Sequence, residues 1–243
     1  MGNFSRNTFD PGKDYVAVRL QQGVPVLDAD WNELNDVTRQ ELYDAFSLTF
    51  TDGVPPHGLD FEVQGRSEPN DLNILAGAAL VRGRPVRVRQ NLRYSTQPWV
   101  NPQRAARDGV AVIPPLTTPP GPPEGAPPRI DLVYLDVWDR EVGSAEDANL
   151  INPAIGVETS VRLKREAAVR VAEGTTDLPT APAGHVFLPL ARLRRPRNQA
   201  QITNIEDLRP FFHSSRGTPR VLSFFPAFLP ITNSPYAASG ENL

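Results

Sequence analysis

Proline constrains this chain more than any other residue. There are 26 prolines in 243 residues, about twice the usual ~5%. Proline lacks an amide hydrogen and fixes φ, so it interrupts both long helices and central strands. The chain therefore reads as short strands joined by rigid turns. The densest stretch, residues 114–128, is Pro-Pro-Leu-Thr-Thr-Pro-Pro-Gly-Pro-Pro-Glu-Gly-Ala-Pro-Pro. Such a segment favours polyproline II geometry and cannot build a ladder. It reads either as a ligand for a proline-recognising groove or as a stiff surface loop between strands, and the loop needs less to explain it.

Hydrophobic residues make up 40% and charged residues 22%, the composition of a soluble globular protein. The length suits one large domain or two small ones. No apolar run approaches the roughly 18 residues that span a bilayer, so direct membrane insertion is not expected. Met1-Gly2-Asn3 opens no signal-peptide core, which predicts cytoplasmic assembly. With no cysteine, disulfides and thiolate chemistry are excluded, and any metal would need His, Asp or Glu. The formal net charge of -3 argues against nucleic-acid binding, which needs a concentrated basic face. Only Lys13 and Lys164 are lysines among 25 basic residues. Either GC-rich coding or a use for the planar guanidinium fork in bidentate contacts would explain that skew.

One long helix is expected. Residues 1–26 read as extended, with a turn at Asp10-Pro11-Gly12 and breaks at Gly23 and Pro25. Asp28 or Asp30 is then the expected N-cap. From there to Phe50, Trp31, Leu34, Val37, Leu42, Ala45, Phe46 and Leu48 fall within half the circumference of a helix, with Glu33, Asp36 and Arg39 mostly opposite. Asp52-Gly53 and Pro55-Pro56 end it.

Beyond it the patterning is β-like. Residues 59–63, 72–75, 78–81, 85–88 and 91–96 read as short strands, with Arg82-Gly83 as a tight hairpin turn. Residues 130–142 give the strongest strand signal, with Val133, Leu135 and Val137 on one face and Tyr134, Asp136 and Trp138 on the other. Residues 157–172 read as a strand, or over 162–168 as a short helix, and 185–193 as a further strand. Residues 205–208 read as a turn of helix. The expected fold is mainly β with an N-terminal extended arm and one long α-helix, the β part being a β-sandwich or a small barrel-like domain with Pro-rich loops. Its parts are an arm and helix over 1–53, a β-rich domain over 54–213 and an extended tail over 214–243.

Little in the sequence resembles a reactive site. Asp136, Asp139, Glu141, Glu146 and Asp147 suggest a hydrolase or metal centre, but Asp136 and Asp139 alternate across a strand and cannot share one ion without a bulge. They read as solvated acids. Asp28, Asp30 and Glu33 lack the spacing of a calcium loop, and helix capping explains them. His57, His185 and His213 are scattered, without HExxH spacing or a GxSxG elbow. No catalytic residue, metal or cofactor is therefore expected. Trp31 and Trp138 read as core residues, while Trp99, between Pro98 and Val100, is left open as a stacking platform for a glycan.

The first thirty-four residues are the most distinctive. They run Phe4-Ser5-Arg6-Asn7-Thr8-Phe9-Asp10-Pro11, then Lys13 and Tyr15, then Gln21-Gln22-Gly23, then Leu27-Asp28-Ala29-Asp30-Trp31-Asn32-Glu33-Leu34. This opening resembles that of a domain family found in phage tails and in phage-tail-like contractile injection systems. The likeness extends more loosely over residues 3–210. The chain departs from the family at Val24-Pro25, where relatives often carry Arg after Gln-Gln-Gly.

The resemblance implies a structural, non-catalytic part at the baseplate or fibre-attachment end of a tail-like particle. Its partners would be baseplate, spike or fibre subunits, and the chain would form a homo-oligomer, a trimer in particular. Phe4, Phe9, Tyr15, Trp31 and Leu34 would anchor it, with Arg6 and the acids fixing register. Phe224, Phe225 and Phe228 in the proline-broken tail are further candidates for partner contact. Two alternatives stand beside this: a receptor- or glycan-binding tail module using Trp99, and a cell-wall hydrolase carried by the particle.

Overall fold

The computed structural model describes residues 5–122 and 127–214. Phe4, Phe224, Phe225 and Phe228 lie outside the described residues. The arm has little regular structure beyond one 3-10 turn, Pro11–Lys13, whose Gly12 amide donates to the Asp10 side chain at 3.0 Å. It turns back at Gly23 and feeds the helix α1, Asp28–Thr49. The helix starts one residue earlier than an Asp28 cap would give and three earlier than an Asp30 cap. Leu27 is the extended N-cap residue, and Asp30 reaches back to accept the Leu27 amide at 3.3 Å. Neither aspartate is the cap, but both remain in the first turn, where the positive end of the helix favours them.

The remainder is mainly β. The strands are β1 (Val63–Gly65), β2 (Leu72–Ile74), β3 (Gly77–Val81), β4 (Arg84–Val88) and β5 (Leu92–Arg93), followed after a short helix α2 (Pro102–Arg107) by β6 (Arg129–Val142). The chain continues through β7 (Ile151–Asn152), β8 (Val157–Glu158), β9 (Arg162–Ala172), β10 (Val186–Arg195) and β11 (Ile205–Asp207). Every pairing among them is antiparallel: a three-stranded sheet β1-β2-β5, a four-stranded sheet β11-β10-β6-β9 and the hairpins β3-β4 and β7-β8. None of the sheets closes into a barrel, so the sandwich-like form of the expected fold is the one adopted.

Several elements differ from the sequence reading, each for a local reason. Residues 59–62 turn instead of extending, because the fully buried Phe61 takes a left-handed φ of 56°. After Arg93 the expected strand gives way to a 3-10 turn over Tyr94–Thr96. Residues 162–168 belong to β9 and not to a helix, because they pair with β6 from Val142 to Asp136. Residues 205–207 form a strand, zipped to Ala191–Leu193. Pro189 interrupts β10 without ending it: the register against β6 slips between Pro189 and Ala191, a bulge that accommodates the missing amide.

Core residues come from the two larger sheets, the β3-β4 hairpin and the connecting segments, among them Phe61, Leu72, Ile74, Val81, Ile113, Leu135, Leu188 and Leu193. Strand β6 is buried on both faces from Asp131 to Trp138. Helix α1 meets this body along a narrow line. Only Val37 and Tyr43 are buried on it, while Leu42 and Leu48 face solvent, so the wide apolar arc is not all core-facing. Along that line the β3-β4 turn abuts the helix backbone. Gly83 has φ +70°, and a Cβ there would collide with the Tyr43 carbonyl oxygen.

Candidate docking surface

The C-terminal half of α1 is fixed by charge as well as by packing. Tyr43 donates to Asp139 Oδ2 at 3.2 Å, and Arg165 binds both Asp139 oxygens at 2.8 and 2.9 Å. Arg165 also donates to the Tyr43 hydroxyl and to the Pro85 carbonyl, and its guanidinium lies 5.0 Å from the Tyr43 ring centroid. Asp139 and Arg165 are direct neighbours across β6 and β9, so the two longest-paired strands set this joint. Burial pushes the Asp139 carboxyl up, but the Arg165 contacts outweigh it and hold the group below the usual range. Burial, followed by the Asp139 charge, raises the Tyr43 hydroxyl.

The other end of α1 and the arm present apolar surface to solvent. Trp31 is 56% exposed, and Tyr15, Val16, Leu20, Val24, Val26 and Leu27 are exposed as well. Thr8 donates to Glu33, which ties the arm to the helix. Around the Gly23 turn, Val18, Leu20, Val24 and Val26 line a shallow hollow of about 170 Å³ with Asp30. Of the anchors suggested by the sequence, Tyr15 and Trp31 are exposed, Phe9 and Leu34 are half-buried, and Arg6 is exposed. The reading of Trp31 as a core residue is therefore corrected. It lies near the N-terminal end of the helix, twelve residues from Tyr43, and is more than half exposed among the described residues.

Trp99 is the converse case. It is 2% exposed, edge-on to Trp138 with ring centroids 4.7 Å apart, and its indole donates to Asp108 at 3.0 Å. A ring enclosed in this way offers no face to a sugar, which removes Trp99 as a glycan platform. The residue beside it is informative too. Buried Gln97 donates to the Val169 carbonyl at 2.9 Å and accepts the Val169 amide at 2.7 Å. Its carboxamide thus closes the outer edge of β9 as a neighbouring strand would.

Of the acids read as solvated, Asp136 and Asp139 are not, while Glu141 and Asp147 are exposed as expected. Asp136 is 2% exposed and binds Arg170 at 2.7 Å with one oxygen and His185 at 2.7 Å with the other. His185 stacks on Trp138 at 5.1 Å and 15°. Asp139 is taken by Arg165, and Glu146 is held in a two-pronged pair by Arg140 at 2.7 and 2.9 Å. Asp136 and Asp139 do occupy opposite faces, each with its own arginine. Elsewhere Asp71 accepts from Arg93, from the Ser95 amide and from the Ser95 hydroxyl. Among the described residues no group of three or more His, Cys, Asp or Glu side chains is arranged to hold a metal ion. The arginine partners were missed in the sequence because they lie across strand pairs. The available signal was a strand carrying Arg165 and Arg170 within reach of one carrying Asp136 and Asp139.

No protein-family model matches the chain, and no curated protein sequence matches it. Among solved structures it is similar to a crystal structure of TssK, at 9% identity and a TM-score of 0.38, covering 87% of this chain and 45% of that one. It is also similar to a chain of the baseplate complex from the type VI secretion system, at 12% identity and a TM-score of 0.35, covering 89% of this chain and 65% of that one. The chain thus spans less than half the length of the first and just under two thirds of the second.

Proposed function

We propose that this chain is a structural, non-catalytic component of a phage-tail-like contractile injection system or phage tail, at the baseplate or fibre-attachment end. It assembles in the cytoplasm with baseplate, spike or fibre subunits, and does so through the arm and the N-terminal half of α1. One observation carries the reading: Trp31, in the stretch that resembles that family, is exposed on a helix whose other end is pinned by Tyr43, Asp139 and Arg165. A large aromatic on a pre-ordered support loses little entropy when it is covered, which is the usual make-up of a binding hot spot. The flanking acids Asp28, Asp30 and Glu33 suit a partner with a basic rim.

The test is Trp31→Ala in the full chain, with incorporation into particles scored by electron microscopy and affinity for the neighbouring subunit by calorimetry. We expect binding to weaken by at least about 2 kcal/mol, roughly 30-fold, as hot-spot truncations do. The melting temperature should hardly move, since surface substitutions stay within about 0.5 kcal/mol. Normal retention of the variant in assembled particles would sink the reading. Light scattering on the purified protein tests the trimer.

A further inference from the structure

A second apolar surface lies on the opposite end of α1. Phe46 and Phe50 from the helix end, Ala78, Leu80 and Val86 from the β3-β4 hairpin, and Phe212 line a groove of about 450 Å³. The chain itself leads into this groove. Val54 pairs with Phe211 and Phe50 with Ser214, while the Phe50 and Phe212 rings meet edge-on at 6.2 Å. Residues 215–243 follow directly, outside the described residues. Ten positions after Ser214 the sequence becomes strongly apolar: Phe224-Phe225-Pro226-Ala227-Phe228-Leu229. Gly217 and Pro219 lie between, the residue types that reverse a chain.

We propose that the groove is the docking site for this chain's own segment Phe224–Leu229. Chemistry favours the match, since aromatic and aliphatic side chains would meet a wall of the same kind. Reach favours it as well: nine linking residues extend to about 30 Å, and Ser214 already sits beside Phe50. Proximity favours the same chain over a second copy. A short tether holds its own segment at an effective concentration in the millimolar range, which a neighbour in dilute solution does not match. The proposal does not depend on the docking role of the arm.

The absence of cysteine makes a clean test possible in the full chain. Ala78→Cys places a thiol in the groove, and Ala227→Cys places one in the segment without removing an aromatic. The control pairs Ala227→Cys with Thr176→Cys, beyond the far end of β9, which lies about 23 Å from Arg165 at 3.3 Å per residue. Under mild oxidation the first pair should close an intramolecular disulfide at least about tenfold faster than the control. Equal rates, or no disulfide, would overturn the proposal. A covalent dimer from the first pair would overturn it in favour of exchange between copies. Replacing Phe224, Phe225 and Phe228 together by serine gives an independent readout. If the segment covers the groove, the change uncovers Phe46, Phe50 and Phe212, and binding of an apolar dye should rise several-fold. If the segment is undocked, the change removes exposed aromatics and dye binding should stay level or fall, which would contradict the proposal.

Discussion

Arg165 shows why this protein uses arginine where lysine would be more usual. One guanidinium binds both oxygens of Asp139, the Tyr43 hydroxyl and the Pro85 carbonyl. A lysine has one nitrogen at the end of its chain and cannot reach all four in that geometry. Arg129, Arg140, Arg170 and Arg195 are used in the same way, each reaching at least one carboxylate from a largely buried position. That assigns part of the arginine excess to structure, beyond any coding preference. Arg165→Lys should therefore destabilise the fold by about 1–3 kcal/mol, the scale of hydrogen bonds to charged groups, read as a lower urea midpoint. Tyr43→Phe removes only the hydroxyl and should cost about 1 kcal/mol. Gly83→Ala is the harsher change, since it both strains a positive φ and strikes the helix backbone. It should cost more than either, and unchanged stability on chemical denaturation would refute the close approach of hairpin and helix.

At the scale of elements, much of the architecture could be read from residue order. Helix α1 spans Asp28–Thr49 where the 3.6-residue spacing predicts it, and β6 spans Arg129–Val142 where the alternation is strongest. The Arg82-Gly83 turn forms with φ of 50° and 70°. What could not be read was decided by distant partners. Strand β11 has three residues and exists because β10 is beside it. Whether a tryptophan is covered depends on what packs over it: the sequence suggests a core Trp31 and leaves Trp99 undecided, and the packing exposes the first and encloses the second. Gln97 is the least legible case, since nothing local marks a glutamine as the closure of a strand edge 72 residues away. Gln97→Ala should leave the Val169 amide and carbonyl without their partner, at a cost of about 1–3 kcal/mol. Hydrogen exchange at the Val169 amide should accelerate at least tenfold, while the Leu135 amide in the centre of the sheet is much less affected. Equal acceleration at both would point to a general loosening and count against an edge-closing role.

For the molecule as a whole, the paired carboxylates set its response to acid. Burial pushes Asp71 up, but Arg93 and Ser95 outweigh it. Burial likewise pushes Asp108 up, against Arg107 and Trp99, and the carboxyls of Asp71, Asp108 and Asp139 all lie below the ordinary aspartate value. A group whose pKa is lower in the folded state stabilises the fold fully above its unfolded value, about 3.9 for aspartate. That stability is lost as the pH falls through the lower folded values. Thermal melts should therefore be nearly level between about pH 7 and pH 5 as far as these groups decide it, and decline below about pH 4. Asp71→Asn should lower stability at neutral pH and make the acid decline shallower. An equally steep decline in that variant would remove Asp71 from the account.

The pinned joint of α1 also has a mechanical meaning. Between Trp31 and Tyr43 the helix rises about 18 Å, at 1.5 Å per residue. A load applied at the tryptophan acts on a stiff lever whose fulcrum is the Tyr43, Asp139 and Arg165 cluster. Sideways force would be delivered as torque onto β6 and β9, whose eleven residue pairs run side by side. Pulling those strands apart along their length means breaking many hydrogen bonds together, whereas turning the lever strains the cluster, the buried Val37 and the close approach at Gly83. Under strain, the hinge would yield before the sheet.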